Sequence, residues 1–463
     1  APLGPGYLPW LAKLELSTDP SRYPIVDITD DGIGNGVAAI AGGDVTLREQ
    51  GLAEEPSRLA YIANCTSAAN GASSDGHGHL NVSIAGGFDN RSGFPYRDKQ
   101  GYQLGLGINP FGRFAGTRVF DDSGFNTEAC GGTDSSLISE TYNRGARIIS
   151  NSWGCGQCAG IYDAGSQAYD AAVRDANPDA EGNQELLILF SSGNYGPEPA
   201  SIGTPGNGKN VLTVGASENV RPTWTDGCGI PPSQADSALD IASFSSRGPA
   251  PGGRTKPDVV APGTHVQGTA STDSSYPPDG SRLGVCDAFH PNGQTIFNAS
   301  SGTSHAVPAV AGFASLAYAS LQQNYGLANP SPALLKAFIV AHTLYLDGFD
   351  SGDDLPSHNQ GFGLPDMGAA LDKSERVIIE QTEAKLFDES GEKWSLTLAA
   401  SDPTSPVRIV MAYTDQPGAI GTEPQVNDLN LTVRADGTTY LGNQFSRQLS
   451  TPGGTPDRVN TVE

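Results

Sequence analysis

Short apolar runs closed by Gly, Asn or Asp, with helical stretches between them, recur through the first three-quarters of this chain. PIVDITDDG (24–32), GARIISNSWG (145–154), ELLILFSSGN (185–194) and NVLTVGAS (210–217) are such runs, and SQAYDAAVRDA (166–176) is a helical stretch between two of them. Runs of this length without polar alternation suit strands buried on both faces. Their alternation with helices predicts an α/β fold, a doubly wound parallel sheet. Ligands of such sheets sit beyond the carboxyl ends of the strands, which makes NSWG and SSGN candidate site loops. The pattern changes after about residue 372. KWSLTLAAS, PVRIVMAYT, NDLNLTVRAD and GTTYLGN alternate apolar and polar residues between turn signals, the mark of antiparallel strands. The expected organisation is therefore a Pro-rich extended arm over 1–23, an α/β domain over 24–374 and a smaller antiparallel β-sandwich or jelly roll over 375–463. The last has few strands for a complete sandwich. At 463 residues the chain is long enough for this division.

Charge and cysteine content narrow the function. Lys and Arg number 27 against 51 Asp and Glu, a formal net charge of −24. Such a surface repels nucleic acid and anionic membranes, so neither is an expected partner. The longest nearly apolar run, 306–321, is too short and too rich in Ser to span a bilayer and reads as a buried helix. Six cysteines allow three disulfides in an oxidising compartment, so a secreted protein with its leader removed is expected. Cys155 and Cys158 have C-x-x-C spacing without the second pair a zinc site wants, and are read as a local disulfide.

Three segments carry chemistry. In NASSGTSHAVPAVAG (298–312), Ser304 directly precedes an apolar helical run. A serine there commonly caps the helix, but it also lies beside free backbone N–H groups able to hold an oxyanion. In DGHGHLNVSIAGG (75–87), His77 stands between two glycines at a loop-to-helix junction. In VDITDDGIG (26–34), Asp30 closes a strand and could equally form an Asx turn. A hydroxyl nucleophile needs a base, and the base an orienting carboxylate; the segments supply one of each.

The segment GTSHAVPAVAG resembles the serine signature of the subtilisin-like proteases, the subtilases, and the order Asp, His, Ser is the subtilisin order. FSSRGPAPGGRTKPDVVAPGT (244–264), TVGASEN (213–219) and GFGLPDMGAAL (361–371) also resemble segments of that family. The resemblance covers roughly residues 24–372. It implies a secreted serine endopeptidase acting on polypeptides through an acyl-enzyme. Ser304 would be the nucleophile, His77 the general base and then acid, and Asp30 the group that orients the imidazole. Asn194 and the Ser304 N–H would form the oxyanion hole. Ser152, Trp153 and Gly154, with Ser192 and Gly193, would bind substrate, the first three by strand pairing and as walls of the S1 pocket. The resemblance further implies a removed N-terminal pro-segment, no catalytic cofactor, structural calcium on ligands that the spacing does not name, and a monomer. The tail looks like the β-barrel domain behind oxidant-stable alkaline bacterial subtilases, with NDLNLTV (427–433) its most recognisable piece.

Departures from the family pattern carry expectations of their own. The histidine segment lacks the usual Thr and Val and offers a second histidine, His79, which has no Gly-His-Gly setting. Asp31 replaces a small hydroxyl residue, and its charge is expected to raise the His77 pKa. His305 stands where many members carry an oxidisable Met, which predicts tolerance of peroxide. Residues 88–105 read as a surface insertion. Glu and Asp in place of His would mark a sedolisin, and His77 and Asn194 speak against one. An α/β-hydrolase would need Ser first in chain order. A degenerate scaffold is the non-enzymatic rival.

Overall fold

The computed structural model describes residues 6–98, 101–276, 286–290, 293–381, 386–387, 389–400, 402, 404–421 and 423–463. After helix α1 (Tyr7–Lys13) the chain enters strand β1 (Ile25–Asp30), then β2 (Leu59–Asn64), helix α2 (His77–Gly86) and β3 (Arg113–Arg118). A short hairpin, β4 (Phe120–Asp121) and β5 (Gly124–Phe125), leads to α3 (Asp134–Asn143), β6 (Ala146–Asn151), α4 (Ala164–Arg174), β7 (Leu187–Ser191) and β8 (Leu212–Ser217). β9 (Val259–Pro262), β10 (Val266–Thr269) and β11 (Phe297–Ser300) precede the long helix α5 (Thr303–Tyr325) and α6 (Pro332–Ala341).

Seven parallel strands form the sheet, in the order β2-β3-β1-β6-β7-β8-β9. Strand side chains alternate between the two faces, and the two cores follow that alternation. Ile148, Leu187 and Leu189 pack with α5 and α6 on one face, whereas Ile149, Ile188 and Phe190 pack with α3 and α4 on the other. Both faces are covered, so the strands read as unbroken apolar runs in the sequence. The chain reverses its direction of travel across the sheet between β1 and β6. The cleft at that switch point receives Asp30 from the end of β1 and Ser152 from just beyond β6.

The run 306–321 lies inside α5, which is buried for most of its length. Among the described residues no helix is long and apolar enough to cross a membrane. All six cysteines pair, as Cys65–Cys130, Cys155–Cys158 and Cys228–Cys286.

Two expectations need correction. Residues 1–5 and 99–100 lie outside the described residues, but the rest of the arm is not simply extended. Tyr7, Leu8 and Leu11 put an apolar stripe on α1, and Leu11 is buried against the main core. Beyond residue 375 the antiparallel character is as expected, and among the described residues the assigned strands form one three-stranded antiparallel sheet. It comprises Thr432–Ala435, Thr438–Ser446 and Leu449–Pro452. The segment 393–400 pairs with no described neighbour. The segment 406–414 exchanges main-chain bonds with the last residues of the chain, through Met411, Tyr413, Thr461 and Glu463, and its Val410 and Ala412 pack on the main core. The insertion is more than decoration. Tyr96 stacks edge-on to Phe297 of β11, and Arg91 lies 4.0 Å over the Tyr96 ring.

Candidate active site

His77 opens α2, and the glycines beside it are there for steric reasons. Gly76 has φ +89°, and a Cβ on it would meet the Tyr276 ring at 2.5 Å. A Cβ on Gly78 would meet the Gly32 carbonyl at 2.5 Å and Asp30 Cβ at 2.9 Å. Only glycine lets α2 approach the end of β1 this closely. The His77 ring then lies against Asp30, with Nδ1 2.7 Å from Asp30 Oδ1. Asp30 is buried, and it also accepts from Asn81 Nδ2 at 3.1 Å and from the Asp31 N–H at 2.8 Å. His79 is fully buried and bound to Asp44 at 3.2 Å. It has no access to the cleft.

Asp31 ties down the loop that delivers the histidine. Its carboxylate accepts from Ser73 Oγ and from the N–H groups of Asp75, Gly76 and Gly78. It thereby caps α2, whose own N-cap, Gly76, has no side chain to do so. Burial, then the neighbouring Asp30, pushes the Asp31 carboxyl up to about 6. Burial pulls the His77 imidazole down, but Asp30, Asp287 and Asp31 together outweigh it and hold it at about 10.

Ser304 occupies the first turn of α5 without capping it. Asn194, from the loop after β7, does the capping: its Oδ1 accepts from the Thr303 N–H and hydroxyl, both at 2.9 Å. Two donors remain. The Asn194 Nδ2 and the Ser304 N–H have no partner among the described residues. The Ser304 hydroxyl donates to the Ser152 carbonyl at 3.2 Å, and Ser152 Oγ donates back to the Ser304 carbonyl at 2.7 Å. The next residue, His305, has its ring centroid 5.5 Å from that of His77, so serine and histidine share one cleft.

The remaining candidates divide. Ser192 and Gly193 lead into Asn194, and the Gly193 N–H bonds Thr303 Oγ1 at 3.2 Å. At Gly193 φ is +102°, and an added Cβ would lie 2.9 Å from Ser246 Oγ. The main-chain groups of Trp153 and Gly154 have no partner among the described residues, which leaves a free ladder edge beside Ser304. The Trp153 side chain is half-buried. It packs among Phe120, Phe125, Tyr169 and Phe190, and its indole N–H donates to the Thr29 carbonyl.

Sequence reasoning missed Asn81 and Asp287. Asn81 lies four residues after His77, one helical turn on, and that spacing was its only signal. Asn81 Oδ1 is 2.9 Å from His305 Nδ1, and His305 Nε2 is 3.0 Å from Asp287 Oδ1. His77, Asp287 and His305 each bring one ligand atom within 4.8 Å of the others, as do Glu218, Asp236 and Asp240 on another part of the surface. Glu218 already accepts from the N–H groups of Asp236 and Ser237.

The chain is similar to known proteins. A family model described as the subtilase family matches residues 22–363. Serine protease AprX of Bacillus subtilis is 34% identical over 141 residues, 30% of this chain and 26% of its own length. Pyrolysin of Pyrococcus furiosus is 30% identical over 189 residues, 39% of this chain and 12% of its own length. Among solved structures, fervidolysin from Fervidobacterium pennivorans aligns at 19% identity with a TM-score of 0.49. That alignment covers 78% of this chain and 44% of fervidolysin. The family match spans the sheet, both helices of the cleft and every residue gathered around Ser304, and on that ground the chain belongs to the subtilase family.

Proposed function

We propose that this chain is a serine endopeptidase that hydrolyses polypeptides through an acyl-enzyme. Residues 24–374 carry the chemistry, and 375–463 form a supporting C-terminal unit. The observation that carries the proposal is the 2.7 Å His77–Asp30 bond facing a serine at a helix N-terminus that has two unpaired amide donors beside it.

The steps follow from that arrangement. Rotation about the Ser304 Cα–Cβ bond takes Oγ from the Ser152 carbonyl to the imidazole. His77 Nε2 accepts the hydroxyl proton as Oγ adds to the scissile carbonyl. Asp30 keeps the proton on Nδ1 and stabilises the imidazolium. Negative charge on the former carbonyl oxygen falls to Asn194 Nδ2 and the Ser304 N–H. His77 then protonates the leaving amine, and water repeats the sequence to free the acid. The edge at Trp153–Gly154 and the segment Ser192–Gly193 pair with an extended substrate backbone. Secretion is part of the proposal, and three disulfides support it because such bonds persist in oxidising compartments. No metal takes part in these steps; structural calcium, if bound, acts on stability alone.

A fluorophosphonate probe tests the proposal directly. The chain is expected to be labelled on Ser304, with labelling abolished in Ser304→Ala and strongly slowed in His77→Ala. Equal labelling of the wild type and Ser304→Ala would exclude this nucleophile.

A further inference from the structure

The residue after the proposed nucleophile is held in a way that hydrolysis does not require. Asp30 is an acceptor-only group, so Asn81 must turn its amide NH2 toward it and its carbonyl toward His305. That carbonyl fixes a proton on His305 Nδ1. The other ring nitrogen, Nε2, then faces Asp287 Oδ1 at 3.0 Å and Ser300 Oγ at 2.8 Å. Ser300 also lies 2.7 Å from Asp287 Oδ1 and can give its one proton to only one of them. Two lone pairs facing each other across 3.0 Å need a cation between them, either a proton or a metal ion.

The third donor is close by. His77 Nδ1 is committed to Asp30, which leaves Nε2 as the nitrogen that can bind an ion, in exchange for its proton. Asp287 is firmly placed. Its neighbour Cys286 is bound to Cys228, and its carbonyl accepts from Tyr276 and Asn298. Asp287 and His305 are buried, while His77 is a quarter exposed and opens the cluster to solvent. Two imidazoles and one carboxylate are the protein donor set of an open Zn²⁺ site, whose fourth ligand is water. Imidazole donors select zinc or copper over calcium and magnesium. The hydrogen bonds from His305 to Asn81 and from His77 to Asp30 are the outer contacts that orient metal-binding histidines.

We propose that Zn²⁺ binds across His77, Asp287 and His305 and reversibly shuts off hydrolysis. The ion occupies the His77 lone pair that would take the Ser304 proton; this inhibitory consequence rests on the proposed role of His77, whereas the binding does not. The test uses the full Ser304→Ala chain, stripped with chelator at pH 8 and titrated with ZnCl₂ by calorimetry. One ion per chain is expected, with His305→Gln and Asp287→Asn each weakening Kd by at least ~tenfold. CaCl₂ at the same concentrations should give no binding at this site. In the chain with Ser304 intact, excess zinc should block fluorophosphonate labelling and EDTA should restore it. Absence of zinc binding by the folded chain would overturn the proposal. So would a Kd unmoved by both substitutions while circular dichroism is unchanged. If labelling fails with and without zinc, the hydrolase reading falls and calorimetry still decides the metal site.

Discussion

The sheet unit and the region after residue 375 use the same alphabet to different ends. Alternating residues of β6 and β7 enter two separate cores, so nearly every apolar strand residue is buried. After residue 375 the alternation is as clear, yet its apolar side is covered only in part. Val410 and Ala412 pack on the main core, while Val407 and Ile409 are exposed, as are Trp394, Leu396 and Leu398. Periodicity states which faces a strand has. Burial of both requires a second layer, and within these residues the tail has little of one.

Polar groups hold the tail to the sheet unit. Lys209, fully buried, gives Nζ to Asp415 at 2.5 Å and also to the carbonyls of Gln416 and Pro424. Asn210 exchanges bonds with the Asp415 main chain, and Thr461 donates to the Lys209 carbonyl. Val462 inserts beside them into the main core. The cleft, by contrast, keeps its donors unpaired. One region spends its polar groups on attachment, the other holds them ready.

The largest way to break this contrast is at the attachment. Lys209→Met leaves Asp415 buried without its ammonium and is expected to cost about 3–5 kcal/mol. Urea denaturation measures it, and kcat of the protein that remains folded should hardly change. Asn194→Ala should do the reverse: on its proposed oxyanion-hole role, the substitution lowers kcat by about 10²–10³, the scale known for the oxyanion-hole asparagine of subtilisin. Steady-state kinetics on a peptide substrate would show it, and denaturation would show a smaller loss, from the missing α5 cap. Asp31→Ser should act on pH dependence. The imidazole must be neutral to accept a proton, so activity rises as pH climbs toward the His77 value of about 10. Asp31 is one of the carboxylates that raise it, so its removal should move the acid limb of the pH–rate profile down. An unmoved limb would mean that Asp31 serves only to tether the loop. At the small end, Leu396→Ser should change stability by no more than about 0.5 kcal/mol, because the side chain is already exposed. A larger loss in a melting experiment would reveal packing over the tail.

The sheet strands were legible because burial on both faces leaves no polar alternation to confuse them. The serine, histidine and aspartate that meet in the cleft could be picked out because steric need had written glycines around them, as at Gly76 and Gly78. The antiparallel character of the tail was legible from its alternation, but alternation does not say which strands find a covering layer. Asp287 gave no signal. It lies in a loop, has no spacing relation to Ser304, and reaches His305 only through β11 and the Cys228–Cys286 bond.

The sequence by itself determined the parallel α/β sheet, the buried helix α5 and the three groups at strand and helix ends, since each depends on local pattern and backbone sterics. Tertiary structure alone decided that Asn194 rather than Ser304 caps α5, that Trp153 turns into the core, and that Asp30, Asn81, His305 and Asp287 form one chain of contacts. Those outcomes depend on which surfaces meet across tens to hundreds of residues, and no local pattern encodes such a meeting.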